Sequence, residues 1–358
     1  MTIGIQEKFL NAINVLVSAK IGALANIFSA FSGNWERAWH SDLQKFCPRD
    51  VDWKKTKEKI DPEAALRNLA KENISLLNIK DKSYPELLKH ISDPPFVLYV
   101  KGSTEILNSQ CFGVVGTRRL TEYGQRATPF FVKDLVAGGF TIVSGLALGV
   151  DTFAHRGTLE NEGKAIAVLG TGSDERTIYP TQNLKLARDI VAKGGAIITE
   201  YAPKTHGTSF TFPQRNRIIS GLSKGVLVIE ADIKSGALIT AKNAVDQNRD
   251  LFCVPGSIYS VTSQGTNFMI KKGAKLVASG EDILEDYGIS ATKVRKCFKP
   301  SNEVEAKIMA LLDREPLTND EIIRNSGFDT AKVNIALTIM ELEKKIKCLG
   351  SGKFVLYN

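Results

Sequence analysis

Residues 225–247 read GVLVIEADIKSGALITAKNAVDQ. The first seven form an apolar run interrupted only by Glu230, the pattern of a strand buried on both faces of a parallel sheet. A turn carrying Lys234, Ser235 and Gly236 follows, and residues 237–247 then repeat apolar positions at helical spacing. One such unit fixes little, but its recurrence does. Further apolar runs at residues 96–100, 111–116, 140–145, 165–170, 196–200 and 251–256 alternate with helix-like stretches at 121–138, 150–160 and 183–194. The alternation predicts an α/β domain over residues 79–288 with a doubly wound, mostly parallel sheet.

The flanks differ in character. Up to about Ser83 the periodicity is helical, and Asp61 with Pro62 marks a helix start, so residues 1–78 are expected to form a small helical domain of the SAM/helix-hairpin-helix kind. Its Lys20-Ile21-Gly22 turn reads either as a DNA-contacting hairpin or as a plain interhelical turn. Residues 289–301 gather Lys293, Arg295, Lys296, Lys299 and Pro300 as a basic linker. Residues 302–358 then give three helical runs and two short strands around Gly350-Ser351-Gly352, the outline of a winged helix. Its third helix carries Lys332 near the start but Glu341 and Glu343 later, which leaves duplex reading and protein contact both open.

The bulk numbers set outer limits. A 358-residue chain with 43% hydrophobic and 24% charged residues is ordinary globular material, and its net charge of +8 suits an anionic partner or simply solubility, which only the placement of the charges can separate. The apolar segment 18–31 is short and contains Lys20, so neither a signal peptide nor a membrane span is expected and the address is cytoplasmic. Cys47, Cys111, Cys253, Cys297 and Cys348 have no paired spacing, and His40, His90, His155 and His206 are equally scattered. No metal or other cofactor is expected.

Glycine-rich turns at residues 116–121, 144–151, 170–180 and 231–240 leave the strands at one sheet edge, where helix N-termini attract anions. None has the spacing of a dinucleotide fingerprint or a P-loop, so a nicotinamide enzyme is not expected. Arg118, Arg119 and Lys234 add charge to two of these turns. Residues 209–222, SFTFPQRNRIISGL, place Arg215 and Arg217 near the start of a helix whose dipole opposes them. Each therefore needs either a carboxylate, Glu200 or Glu230, or a bound anion. Phe210 and Phe212 adjoin these arginines, Tyr123 follows Arg119, and Tyr179 and Tyr201 stand at strand ends; arginines beside rings suit the phosphates and bases of a single strand. Asp151, Glu200, Glu230, Asp232, Ser144 and His155 could act in catalysis, but none stands in a nucleophile or acid–base pattern.

Taken together, residues 84–102, 113–124, 143–160, 165–183, 212–244 and 254–274 closely resemble, in order, the motifs of the bacterial DNA-processing protein A family, DprA or Smf. The resemblance implies that the α/β domain is extended Rossmann-like, in a non-enzymatic, dimeric protein that binds and protects single-stranded DNA and helps load the RecA recombinase during natural transformation. It also implies DNA contacts from Arg118, Arg119, Gly145, Phe212, Arg215, Asn216, Arg217, Lys234, Ser235 and Gly236. An alternative is a nucleotide-processing enzyme resembling the lysine-decarboxylase-like phosphoribohydrolases, although their P-G-G-x-G-T-x-x-E loop is replaced here by KSGALITAKNA. A duplex-DNA regulator built on the winged helix is a third.

Overall fold

The apolar runs of the sequence pair into a single nine-stranded sheet. The computed structural model describes residues 4–17, 20, 22–49, 51–289, 300–313, 315–343, 345–349 and 352–356. The chain divides into two compact units, residues 1–291 and 292–358. In the first, β1 (Ile74–Asn78), β2 (Val97–Gly102), β3 (Cys111–Val115), β4 (Thr141–Ser144), β5 (Ala165–Val168), β6 (Ala196–Thr199), β7 (Gly225–Val228), β8 (Asp250–Cys253) and β9 (Lys275–Leu276) lie in the order β1-β2-β6-β5-β4-β3-β7-β8-β9. All pairs from β6 to β9 are parallel; only the β1–β2 and β2–β6 pairs are antiparallel.

The strand order explains where a ligand can enter. From β3 the chain winds outward through β4 to β6, then crosses back to lay β7 on the other side of β3, with Val115 opposite Val228. The helices after β3 and β7 leave in opposite directions around the sheet, which opens a crevice beyond the strand carboxyl ends. Both sheet faces are covered. Val143, Val168 and Val228 meet Ile218, Ile219 and Leu222 on one face, while Ala165, Ala167 and Ile197 meet Leu159 and Ile190 on the other.

The segment read as helical up to about Ser83 departs from that reading at its end. Helix Pro62–Lys71 starts as expected, with Asp61 Oδ1 accepting from the backbone N–H of Glu63 and Ala64. Asn73 then turns the chain through a left-handed conformation at φ 53°, and residues 74–78 become β1, the strand at one edge of the sheet. Pairing with β2 decides the outcome there, because five residues carry too little periodicity of their own.

The N-terminal helices share a core with that edge. Phe9, Ile13, Leu16, Trp35 and Trp39 pack in one cluster with Val97 and Tyr99 of β2. Inside it, the Tyr99 hydroxyl donates to Asn11 Oδ1 at 2.8 Å and accepts from Asn14 Nδ2 at 3.0 Å, and Asn14 also donates to the Glu200 carbonyl. Lys20 is turned toward its own chain, donating to the Cys47 carbonyl at 2.9 Å, which favours the plain interhelical turn. Ile21 lies outside the described residues, as do Lys293, Arg295, Lys296 and Lys299 of the basic linker.

The second unit has its own core. Helices Glu303–Leu312, Asn319–Ser326 and Thr330–Leu342 enclose Ile308, Ile322, Val333, Leu337 and Met340. Strands β10 (Leu317–Thr318), β11 (Ile346–Cys348) and β12 (Lys353–Leu356) form a small sheet in the order β10-β12-β11, completing a winged helix. Gly350 and Ser351 of the expected turn lie outside the described residues.

Tyr99→Phe deletes only the hydroxyl of the buried network and strands two asparagine amides in the core. Urea denaturation should show a loss of about 1–3 kcal/mol.

Candidate nucleic-acid interface

The loops after β3 and β7 are fixed before any ligand is present. Glu230, buried just beyond β7, accepts from the Thr121 backbone N–H at 2.9 Å, the Thr121 hydroxyl at 2.7 Å and the Thr262 hydroxyl at 2.8 Å. Thr117 N–H donates to the Glu230 carbonyl at 2.7 Å. One carboxylate thus joins the start of helix Glu122–Ala137 to the start of helix Val261–Lys271. Between them, residues 117–119 are held out over the crevice.

Helix Thr211–Leu222 forms the facing wall, and its two arginines point inward. Arg215 is only 4% exposed; its Nη1 donates to the Gly145 carbonyl at 2.7 Å and to the Val168 carbonyl, while Nε donates to Asn216 Oδ1 at 3.1 Å. Those carbonyls lie at the ends of β4 and β5. Gly145 must be glycine for this, since a Cβ there would stand 2.6 Å from the Arg215 guanidinium. Burial lowers the Arg215 pKa to about 10, with the Asp151 carboxylate opposing the shift, so the side chain stays cationic at neutral pH. Burial conversely raises Asp151, against the pull of Arg215; its Oδ2 accepts from the N–H groups of Gly145 and Ala147 at 3.0 and 3.3 Å.

Arg217 is the one expected contact residue that does not reach the crevice. Its Nη1 and Nη2 donate to the two Glu200 carboxylate oxygens at 2.6 and 2.7 Å, and its Nε donates to Asp93 Oδ2 at 3.0 Å. Burial opposes its charge, but the Glu200 hydrogen bonds outweigh this and raise its pKa above the usual arginine value. Of the two carboxylates weighed for the arginines, Glu200 takes Arg217, whereas Glu230 serves the loops. Asp93 had no signal in sequence, being 124 residues away.

What remains open is a cavity of about 410 Å³, lined in part by Arg118, Arg119, Phe212, Arg215, Asn216, Lys234, Ser235 and Gly236. Gly145 borders a smaller side cleft of about 40 Å³ with Arg118, Tyr179 and Phe212. Among the described residues no salt bridge ties Arg118, Arg119 or Lys234 to a carboxylate, and all three are exposed. Phe212 is half-buried: the Arg118 guanidinium lies over its ring at 5.6 Å, and the Tyr179 ring approaches to 5.8 Å. Solvent-facing cations above the N-terminus of helix Ala237–Asp246 make the cavity a receptor for an extended anion.

Of the groups weighed for catalysis, Asp151 and Asp232 line the cavity, whereas Ser144, His155, Glu200 and Glu230 do not. Ser144 Oγ donates to the Val114 carbonyl at 2.7 Å, and burial, reinforced by Arg215, lowers the His155 pKa to about 3 and keeps it neutral. Glu200 and Glu230 hold the contacts above. Among the described residues no group of three or more His, Cys, Asp or Glu side chains could hold a metal ion, and no helix is long and apolar enough to cross a membrane.

Residues 75–288 match the family described as DNA recombination-mediator protein A, and residues 299–352 match the DprA winged helix domain. The chain belongs to the DprA family. It is 42% identical to protein Smf of Escherichia coli over 299 residues, covering 81% of this chain and 79% of that protein. It is also 42% identical over 216 residues to the DNA processing protein DprA of Bacillus subtilis, covering 60% and 72% of the two chains. The DprA structure from Streptococcus pneumoniae superposes with a TM-score of 0.64 at 33% identity, covering 80% of this chain and 99% of that one. A DprA structure from Helicobacter pylori, concerned with its unique single-stranded DNA binding mode, gives 0.54 at 31% identity, covering 60% and 97%.

The paired cation behind the crevice and the exposed one on it separate by stability. Arg217→Ala leaves Glu200 buried without its partner and should lower the unfolding free energy by about 3 kcal/mol. Lys234→Ala should change it by less than about 0.5 kcal/mol in the same urea titration.

Proposed function

We propose that this protein is a non-enzymatic single-stranded DNA binder that acts as a recombination mediator in the cytoplasm. The observation that carries the reading is the convergence of Arg118, Arg119 and Lys234, all exposed and without carboxylate partners among the described residues, on one crevice of about 410 Å³ at the strand switch point. The phosphates of a flexible strand lie along such a row, while Asn216 and the loop backbone offer polar contacts beside it. Family membership extends the proposal to protection of the bound strand, to loading of RecA onto it in natural transformation, and to a homodimer as the working form.

The winged helix supports an auxiliary role. On helix Thr330–Leu342, Ile335, Ile339 and Leu342 are exposed, and Lys332 is paired with Asp329 at 3.2 Å. Such an outer face lacks the free cations with which a recognition helix grips phosphates.

Affinity for an oligo-dT strand should fall steeply with salt, with a log–log slope of about 0.7 per phosphate engaged. Replacing Arg118 and Lys234 together by alanine should weaken binding at least about tenfold and flatten that slope by about 1.4. Undiminished affinity in the double variant would place the DNA on another surface. A chain ending at Gly288 should keep most of the single-strand affinity; its collapse on truncation would move the role to the winged helix. RecA filament growth on the same strand, timed with and without the protein, tests the loading proposal.

A further inference from the structure

Phe212 stands beside the cations but is wedged in place. A Cβ at Gly170 would come 2.8 Å from its Cδ1, and one at Gly207 would come 2.6 Å from its Cζ, so two stretches of backbone abut the ring. Arg118 and Tyr179 crowd it further. A ring so enclosed offers little surface for a base to stack on. Tyr179 is different: it is 55% exposed, and its ring leans on Phe212 at an interplanar angle of 47°.

Tyr179 also borders the side cleft, together with Leu148, Pro180 and Arg118. That cleft, at about 40 Å³, is close to the share of a single water molecule in the liquid and cannot swallow a nucleobase. A base meeting this place must lie on the exposed ring instead. The cleft and the main cavity share Arg118, Ala147, Phe212 and Arg215, so a strand with its phosphates on Arg118 has a base within reach of Tyr179. Phe210 is more exposed, at 81%, yet borders neither cavity.

We propose that Tyr179 is a base-stacking residue of the interface, with Phe212 as the rigid backing that fixes its ring. The inference rests on the single-strand reading of the cavity and adds a contact to the bases where the cations supply contacts to the backbone. Stacking on an aromatic ring tolerates any base, so the subsite raises affinity for strands in general without selecting a sequence.

The test compares full-length wild type, Tyr179→Ala, Tyr179→Phe and Phe210→Ala for binding to an oligo-dT strand and to an abasic strand of equal length. Tyr179→Ala should weaken oligo-dT binding on the order of tenfold and leave abasic binding unchanged. Tyr179→Phe and Phe210→Ala should both bind oligo-dT within about twofold of wild type, the former because the ring is kept. Equal affinity of Tyr179→Ala and wild type for oligo-dT, or an equal loss on both strands, would overturn the stacking role while the single-strand reading stands. A wild-type chain that binds neither strand would overturn both.

Discussion

A guanidinium group can leave water only if acceptors take up its donors, and the carboxyl ends of parallel strands leave carbonyls in need of donors. Helix Thr211–Leu222 meets both needs at once. Arg215 closes the ends of β4 and β5 through the Gly145 and Val168 carbonyls, and Arg217 locks the same helix to Glu200 beyond the end of β6 and to Asp93. Without these contacts the helix would keep the apolar packing of Ile218, Ile219 and Leu222 on the sheet but lose the polar ties that set its position at the strand ends. The crevice faced by the loops of Arg118 and Lys234 would then be less sharply defined.

This arrangement sorts the positive charge of the site into two classes. The inward Arg215 and Arg217 hold protein acceptors and define shape, Arg215 also lining the cavity; the outward Arg118, Arg119 and Lys234 have no carboxylate partner among the described residues and define what the shape attracts. A chain with a net charge of +8 has many cations, and most of them say little about a partner. The informative ones are those held exposed over a concave surface, where no salt bridge ties them to the carboxylates nearby among the described residues.

The sheet was legible because its strands are buried on both faces and so appear as unbroken apolar runs; β3 through β7 fall within the expected segments and β8 begins one residue before its own. β1 was not, since an edge strand of five residues following a good helix has only its pairing with β2 to declare it. At the site, the glycine turns and their charges could be read from local spacing, but the direction of each arginine could not. Helical periodicity sets Arg215 and Arg217 about 200° apart, so that only one can point fully outward, yet Asp93, which helps decide the matter for Arg217, is joined to it only by the fold. The same limit applies to Phe212, whose enclosure depends on Gly170 and Gly207 from two other loops.

Glu230 gives the crevice a property that its cations alone would not. Because a single buried carboxylate binds Thr121 and Thr262, the loop after β3 and the helix after β8 are held in one frame. A strand arriving at Arg118 therefore meets a wall already ordered, and little loop entropy is lost on contact. Encounter is then governed by long-range attraction and departure by the number of phosphates and bases engaged. Under the proposed single-strand function, the hold of such a frame on a strand depends on how many phosphates and bases lie within it, and so on the length of strand engaged.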